Sequence, residues 1–253
     1  QLEAVVNYLS QQAQQLNFLQ KFSLWLPPLK QMITFESIDG YGRNFNGTVW
    51  GAVPSSEISA YVGLYDDPQN QSQLPLPVEP TKDGHIIVCG SAFTGKSTFL
   101  QSLLFSLAEK YPPSNVGFYI LDFGGGALMS MKGFPHTGGI ITESNVDNAT
   151  KLFTMLRKII NQRKKLFMGA SYTQYTRAKN VVMPALFLVI DNYTGFKEKT
   201  DNCFENIIFS IAREGAACGI YLIMSAAGFG FNDVPNKIAE NIKKVFFLLM
   251  LFR

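Results

Sequence analysis

"HIIVCGSAFTGKSTFLQSLLFSLAEK", residues 85–110, decides the fold. A short apolar run, "HIIVC", leads into a glycine-bounded loop, and the loop leads into a segment of helical composition beginning at Ser97. Gly90, Ser91, Ala92, Phe93, Thr94, Gly95, Lys96, Ser97 and Thr98 fit G-x-x-x-x-G-K-[ST], with the strand before and the helix after that this spacing requires. The chemistry implied is phosphate binding. Gly90 and Gly95 let the backbone fold tightly enough for its amides to converge on phosphate oxygens, and the helix N-terminus adds partial positive charge. Lys96 is placed to bridge the β- and γ-phosphates of a nucleotide, and the Ser97 hydroxyl to ligate magnesium.

A nucleotide site needs a second magnesium-holding group, and "ALFLVIDNY", residues 185–193, supplies Asp191 at the end of an aliphatic strand. The next residue is Asn192, where a nucleotide-hydrolysing motor carries Glu. A carboxamide cannot take a proton from attacking water, so no catalytic residue is intact at this position. Further apolar runs, "VGFYIL" (116–121), "IYLIM" (220–224) and "VFFLLML" (245–251), read as strands buried on both faces. Helices are expected at 97–110, 146–168 (ended by Gly169), 201–213 and 236–242. Strands alternating with helices predict an α/β three-layer sandwich around a mainly parallel sheet. A strand candidate between Lys96 and Asp191 points to the type with an additional central strand. The loop "DFGGGA", with Gly124 to Gly126, falls on the rim where open parallel sheets bind ligands. It reads either as a ligand contact or as a surface turn.

The first 80 residues read as an extension of the domain spanning 81–253. An amphipathic helix is expected over 2–22, ended by "WLPPL" at 25–29, with short β-prone pieces such as "MITFESI" and "YVGLY" after it. This apolar helix face must dock, and Trp25 beside its prolines is a candidate anchor. Three cysteines, Cys89, Cys203 and Cys218, follow no metal-ligand spacing and read as reduced core residues. With 22 basic and 19 acidic residues the charge gives no nucleic-acid signal. "RKIINQRKKLF", 157–167, places Arg157, Lys158, Asn161, Lys164 and Lys165 on one helical face, with Leu152, Met155, Leu156, Ile159, Ile160, Leu166 and Phe167 opposite; this is a solvated amphipathic helix. His85 and His136 have no nucleophile or ligand cluster near them in sequence.

Taken together these motifs resemble the FtsK/SpoIIIE-type ATPases of type VII secretion systems, the EssC/EccC family, which carries several ATPase domains in tandem. "AREGAACGIYLIMSAA" (212–227) is similar to an FtsK-type strand signature. "WLPPL", "VGLYDDPQNQ" (62–71), "LDFGGGALMSMKGFPHTGG" (121–139) and "LVIDNY" look most like the second ATPase domain; the first has DFKGG where this chain has Gly124. The resemblance implies ATP and magnesium as cofactors, and a cytoplasmic module, truncated at its C-terminus here, of a bacterial cell-membrane protein. Implied partners are the neighbouring ATPase domains of the same polypeptide, other secretion subunits and WXG-type secreted substrates, with no nucleic acid. Membrane contact would run only through N-terminal regions outside this sequence. The family's second domain is degenerate, and the residues agree: besides Asn192, the run Ser225 to Gly228 stands where a motor has a polar sensor. Three readings stay open: an ATP-binding, weakly or non-hydrolysing module, an active translocase of DNA or protein completed by a neighbouring subunit, and an interaction domain with an empty loop.

Overall fold

Strands that are apolar on both sides need a layer of cover on each face, and that requirement sets the architecture. The computed structural model describes residues 2–16, 26–53, 56–230 and 233–249. Two strands, β1 (Ala60–Asp67) and β2 (Ser72–Val78), form an antiparallel hairpin. Six more form the main sheet: β3 (His85–Cys89), β4 (Val116–Asp122), β5 (Thr137–Thr142), β6 (Ala185–Asp191), β7 (Ile220–Ala226) and β8 (Ile242–Phe247). Their order is β5-β4-β6-β7-β3-β8, and every pairing is parallel. β7 lies between β3, which leads into the phosphate loop, and β6, which ends in Asp191. β7 is thus the additional central strand, whereas the strand candidate between Lys96 and Asp191 that suggested one is β4, which lies on the far side of β6.

The helices are α1 (Leu2–Gln15), α2 (Pro80–Asp83), α3 (Lys96–Lys110), α4 (Asn148–Phe167), α5 (Tyr172–Lys179), α6 (Tyr193–Lys199), α7 (Glu205–Glu214) and α8 (Asn236–Ala239). Alternate residues of each strand enter different cores. Leu186, Leu188 and Ile190 of β6 join the side covered by α4, α6, α7 and α8. Ala185, Phe187 and Val189 join the side covered by α3, with Ala60 and Val78 of the hairpin packed there too. On α3, Leu100, Leu103, Leu104 and Leu107 recur at helical spacing and are fully buried. Each stabilises by roughly 2 kcal/mol on area burial, which fixes the helix that follows the phosphate loop.

Several expectations are revised. The run 245–251 is a strand only through Phe247 and starts earlier, at Ile242; residues 250 and 251 lie outside the described residues. "TGGIIT" forms β5, an unanticipated edge strand. The helix expected over 201–213 starts at Glu205, and α5 and α6 were not expected at all. The helix expected over 236–242 is the single turn of α8, because Ile242 is already in β8. "MITFESI" contains a 3-10 turn at Phe35–Ser37 rather than a strand. Cys203 is exposed, in contrast to the buried Cys89 and Cys218. α1 forms but buries none of its residues, leaving Leu2, Val5 and Leu9 exposed; the rest of the 2–22 helix and Trp25 lie outside the described residues.

α4 also departs from the simple amphipathic reading. Leu166 is half exposed, whereas Arg163 is buried. Its guanidinium donates to the carbonyls of Pro184 at 2.6 Å, Cys218 at 2.8 Å and Gly219 at 3.2 Å, and lies 5.9 Å from the Tyr172 ring centre. This fastens α4 to the start of β6 and β7 through backbone carbonyls, of which Gly219's also accepts the Leu186 amide at 2.9 Å. Met168 at φ +51 and Gly169 at φ +91 then end the helix, as the glycine suggested.

Candidate nucleotide site

Parallel strands in register deliver their carboxyl ends to one rim. Asp122 is level with Asp191, and Cys89 with Ala226, so the loops after β3, β4, β6 and β7 converge there. They enclose a cavity of about 630 Å³ lined by Ala92, Phe93, Gly95, Lys96, Ser97 and Thr98 of the loop after β3, by Phe123 and Gly124, by Asp191 and Asn192, and by Ser225 and Ala227. The structure thus brings Lys96, Ser97, Asp191 and Asn192 together from segments nearly 100 residues apart.

The phosphate loop has the geometry its sequence requires. Gly95 sits at φ +91, left-handed backbone that glycine adopts without strain, and it begins α3. At Gly90 a Cβ would stand 2.6 Å from the Leu248 carbonyl oxygen, so the close pass of the chain after β8 excludes any side chain. Thr94 Oγ1 donates to the Ser91 carbonyl at 2.9 Å, and the Lys96 ammonium donates to the carbonyls of Gly90 and Ser91, each at 2.7 Å. The cation is thereby held across the mouth of the loop. Phe93, at the tip, adopts φ +64 and is 97% exposed, an unusual state for a bulky residue. Just behind the loop, burial pushes the Cys89 thiol up to about 11, with Asp233 adding to the shift, so it stays protonated.

Ser97 and Asp191 meet directly. Ser97 Oγ donates to Asp191 Oδ2 at 2.7 Å, which places a hydroxyl and a carboxylate oxygen side by side at the cavity wall. Hard oxygen donors of this kind fit magnesium, whose remaining positions are ordinarily taken by phosphate and water. The nucleotide fit rests on the glycine-bounded loop, the Lys96 position and the α3 N-terminus. The other carboxylate oxygen, Asp191 Oδ1, accepts from Ser225 Oγ at 2.5 Å. Ser225 Oγ in turn accepts from the Asn192 backbone amide at 2.8 Å. Ser225 read from sequence as part of a blunted sensor; its bond to Asp191 spans 34 residues, and only the β6–β7 pairing hints at it.

Asn192 is occupied structurally. It lies at φ +62, and its Oδ1 accepts from the Gly195 amide at 3.2 Å, capping α6. Its Nδ2 donates to the Phe123 carbonyl at 2.9 Å. Asparagine tolerates left-handed backbone and is a preferred N-cap, so the residue that replaces the expected glutamate suits both demands.

The glycine loop after β4 is ordered from beneath. Buried Asp122 accepts from the amides of Gly124 and Gly126, each at 3.2 Å, and of Leu128 at 2.9 Å. Asp122 therefore faces its own loop instead of the cavity. Gly124 lines the cavity, and a Cβ there would fall on the Asp191 carboxylate.

A glycine-bounded phosphate loop between β3 and α3, an aspartate at the end of β6 and an additional strand between them define the P-loop nucleoside triphosphatase fold. The chain belongs to the FtsK/SpoIIIE family, which matches residues 65–197. It is 30% identical to the type VII secretion system protein EssC of Staphylococcus aureus (strain MRSA252) over 247 residues, which is 96% of this chain and 16% of that protein. Among solved structures it is similar to EssC ATPases 2 and 3 from Geobacillus thermodenitrificans, with TM-score 0.71 and 28% identity over 88% of this chain and 41% of that one. The cytoplasmic domain of the Thermomonospora curvata type VII secretion ATPase EccC gives TM-score 0.77 and 26% identity over 90% of this chain and 28% of that one. This chain is thus homologous to the ATPase domains of type VII secretion and spans about a sixth of its curated relative. No helix among the described residues is long and apolar enough to cross a membrane.

Proposed function

We propose that the chain is a nucleotide-holding module of a bacterial type VII protein secretion motor: it binds Mg-ATP, hydrolyses it weakly or not at all, and acts structurally and in regulation between neighbouring ATPase domains of the same polypeptide. It corresponds best to the second of those domains, in the cytoplasmic part of a membrane protein. The observation that carries the reading is Asn192. A general base must have a free lone pair of adequate basicity within reach of water, and this side chain is a carboxamide with its oxygen on Gly195 and its nitrogen on Phe123.

Binding draws on groups that remain. The loop amides and the α3 N-terminus face the phosphates, Lys96 exchanges its two carbonyl partners for phosphate oxygens, and Ser97 with Asp191 holds the metal. Bound magnesium supplies charge neutralisation at the phosphates. Phosphoryl transfer also needs a positioned water and positive charge at the γ-phosphate; Ala227 and Gly228 bring neither. Nucleotide then acts as a ligand that stabilises the folded state.

The test is calorimetric titration with Mg-ATP beside a phosphate-release assay, using the wild type and Lys96→Ala. Binding by the wild type, lost in Lys96→Ala, with phosphate release at background in both, is the expected result. Robust release that disappears in Lys96→Ala would make the domain an active ATPase. No binding at all would make it an interaction domain with an empty loop.

A further inference from the structure

We propose that Ser225 is a positioning residue for the metal site, holding the Asp191 carboxylate in the one orientation that offers Oδ2 to magnesium. The inference rests on the nucleotide-binding reading above and assigns a purpose to a residue that reads from sequence as a vestige of a sensor.

The argument starts from burial. Asp191 is 1% exposed and Ser225 is fully buried at the inner wall of the cavity, so the bond between them is shielded from exchange with bulk water. The Ser225 hydroxyl has one proton and two lone pairs. It gives the proton to Asp191 Oδ1 and accepts the Asn192 amide, which fixes the hydroxyl direction from both sides. Ser97 engages the opposite oxygen, Oδ2, from the cavity side. When Ser97 and Oδ2 turn to a metal, the bond from Ser225 is the carboxylate's remaining side-chain hydrogen bond among the described residues. It prevents rotation about the Cβ–Cγ bond and keeps Oδ2 aimed at Ser97. Partners of this second layer commonly change metal affinity by about 10- to 100-fold.

The same hydroxyl ties two consequences together. Because Ser225 also accepts from the Asn192 backbone, it pins residue 192 in the left-handed conformation from which the side chain caps α6. The strand-end serine thus serves the groups that bind, in place of the attacking water that a motor's sensor serves.

The experiment measures ATP affinity of the chain by calorimetry, once with magnesium chloride and once with EDTA, for wild type, Ser225→Ala and Ser225→Cys. The alanine variant should bind ATP in EDTA as the wild type does, within about two-fold, while its affinity gain from magnesium shrinks by about 10- to 100-fold. Cysteine, of similar shape and a weak donor, should fall between them. It carries the test alone should alanine prevent folding. A magnesium gain equal to that of the wild type in the folded variants overturns the proposal. An equal loss in EDTA and in magnesium also overturns it, since Ser225 would then shape the pocket and not the metal site. If the wild type binds no ATP under either condition, the nucleotide reading itself has failed and this proposal falls with it, an outcome distinct from the other two.

Discussion

Restoring the missing carboxylate by Asn192→Glu should weaken the fold and leave hydrolysis at background. Three terms set the magnitude. The φ of +62 suits asparagine but costs glutamate about 1 kcal/mol. The cap on Gly195, a solvent-exposed bond at 3.2 Å, contributes about 0.5 kcal/mol, at the low end for such caps. The donor to the Phe123 carbonyl, partly buried, contributes about 0.5 to 1 kcal/mol. Since all three act at one residue they overlap, and about 2 kcal/mol is the working total. For a domain of this size that lowers Tm by about 4 to 8 °C. Asn192→Gly separates the terms: it loses both side-chain bonds yet adopts the backbone freely, so its loss should be about half as large. Differential scanning calorimetry should rank the wild type above Asn192→Gly and Asn192→Gly above Asn192→Glu, with no phosphate release above the Lys96→Ala blank. Equal Tm for Asn192→Glu and the wild type would refute the capping argument. A gain of 100-fold or more in turnover, the usual size of a general-base effect, would show that only the base was missing.

Two further outcomes follow from neighbouring features. Gly124→Ala should push the Asp191 carboxylate away from Ser97 and abolish the magnesium-dependent part of ATP binding while leaving the EDTA affinity unchanged, as read by titration under both conditions. Acid should destabilise the protein through its histidines. Burial lowers His85 from 6.5 to about 4, and its Nδ1 already accepts the Leu222 amide, so the folded state resists protonation. Burial lowers His136 in the same direction, partly offset by the hydrogen bond that its Nε2–H donates to the Tyr111 carbonyl at 2.7 Å, which favours the charged ring. The unfolded chain binds the proton first, so stability is complete above pH 6.5 and is lost as pH falls toward 4. For His85 alone the loss is about 2 kcal/mol by pH 5, measurable by urea denaturation at pH 7 and 5; His85→Gln should flatten that dependence.

What could be read from the chain was whatever is encoded within a few residues. The phosphate loop and the strand ending in Asp191 carry their chemistry in local spacing, and the structure joins them as expected. β5 was hidden because "TGGIIT" has two glycines and lies at the sheet edge, where little burial is needed. α5 and α6 are short, with few apolar positions to set a period. Arg163 looked like one more charge in a basic run, and only the carbonyls of Pro184, Cys218 and Gly219, just before β6 and β7, reveal what it binds. The identity of Asn192 was plain, but its capping role depends on a helix that starts one residue later and on the carbonyl of Phe123, 69 positions away. α1, by contrast, was legible as a helix, yet its apolar face is not covered by this domain among the described residues.

The strand order carries a cost during synthesis on the ribosome. β3, the strand that carries the phosphate loop, is flanked in the sheet only by β7 and β8, and His85 and Leu222, which share a hydrogen bond across β3 and β7, are 137 residues apart. At roughly 5 to 20 residues per second, an aliphatic strand with both edges open waits on the order of 10 s for its first neighbour. β4 faces a shorter wait, because β5 follows it closely. The nascent chain can therefore assemble β4, β5 and β6 first and receive β3 last, inserted beside β7 with β8 closing over its far edge. In that order the loop between β3 and α3 takes its final shape only after β7 and β8 have been made.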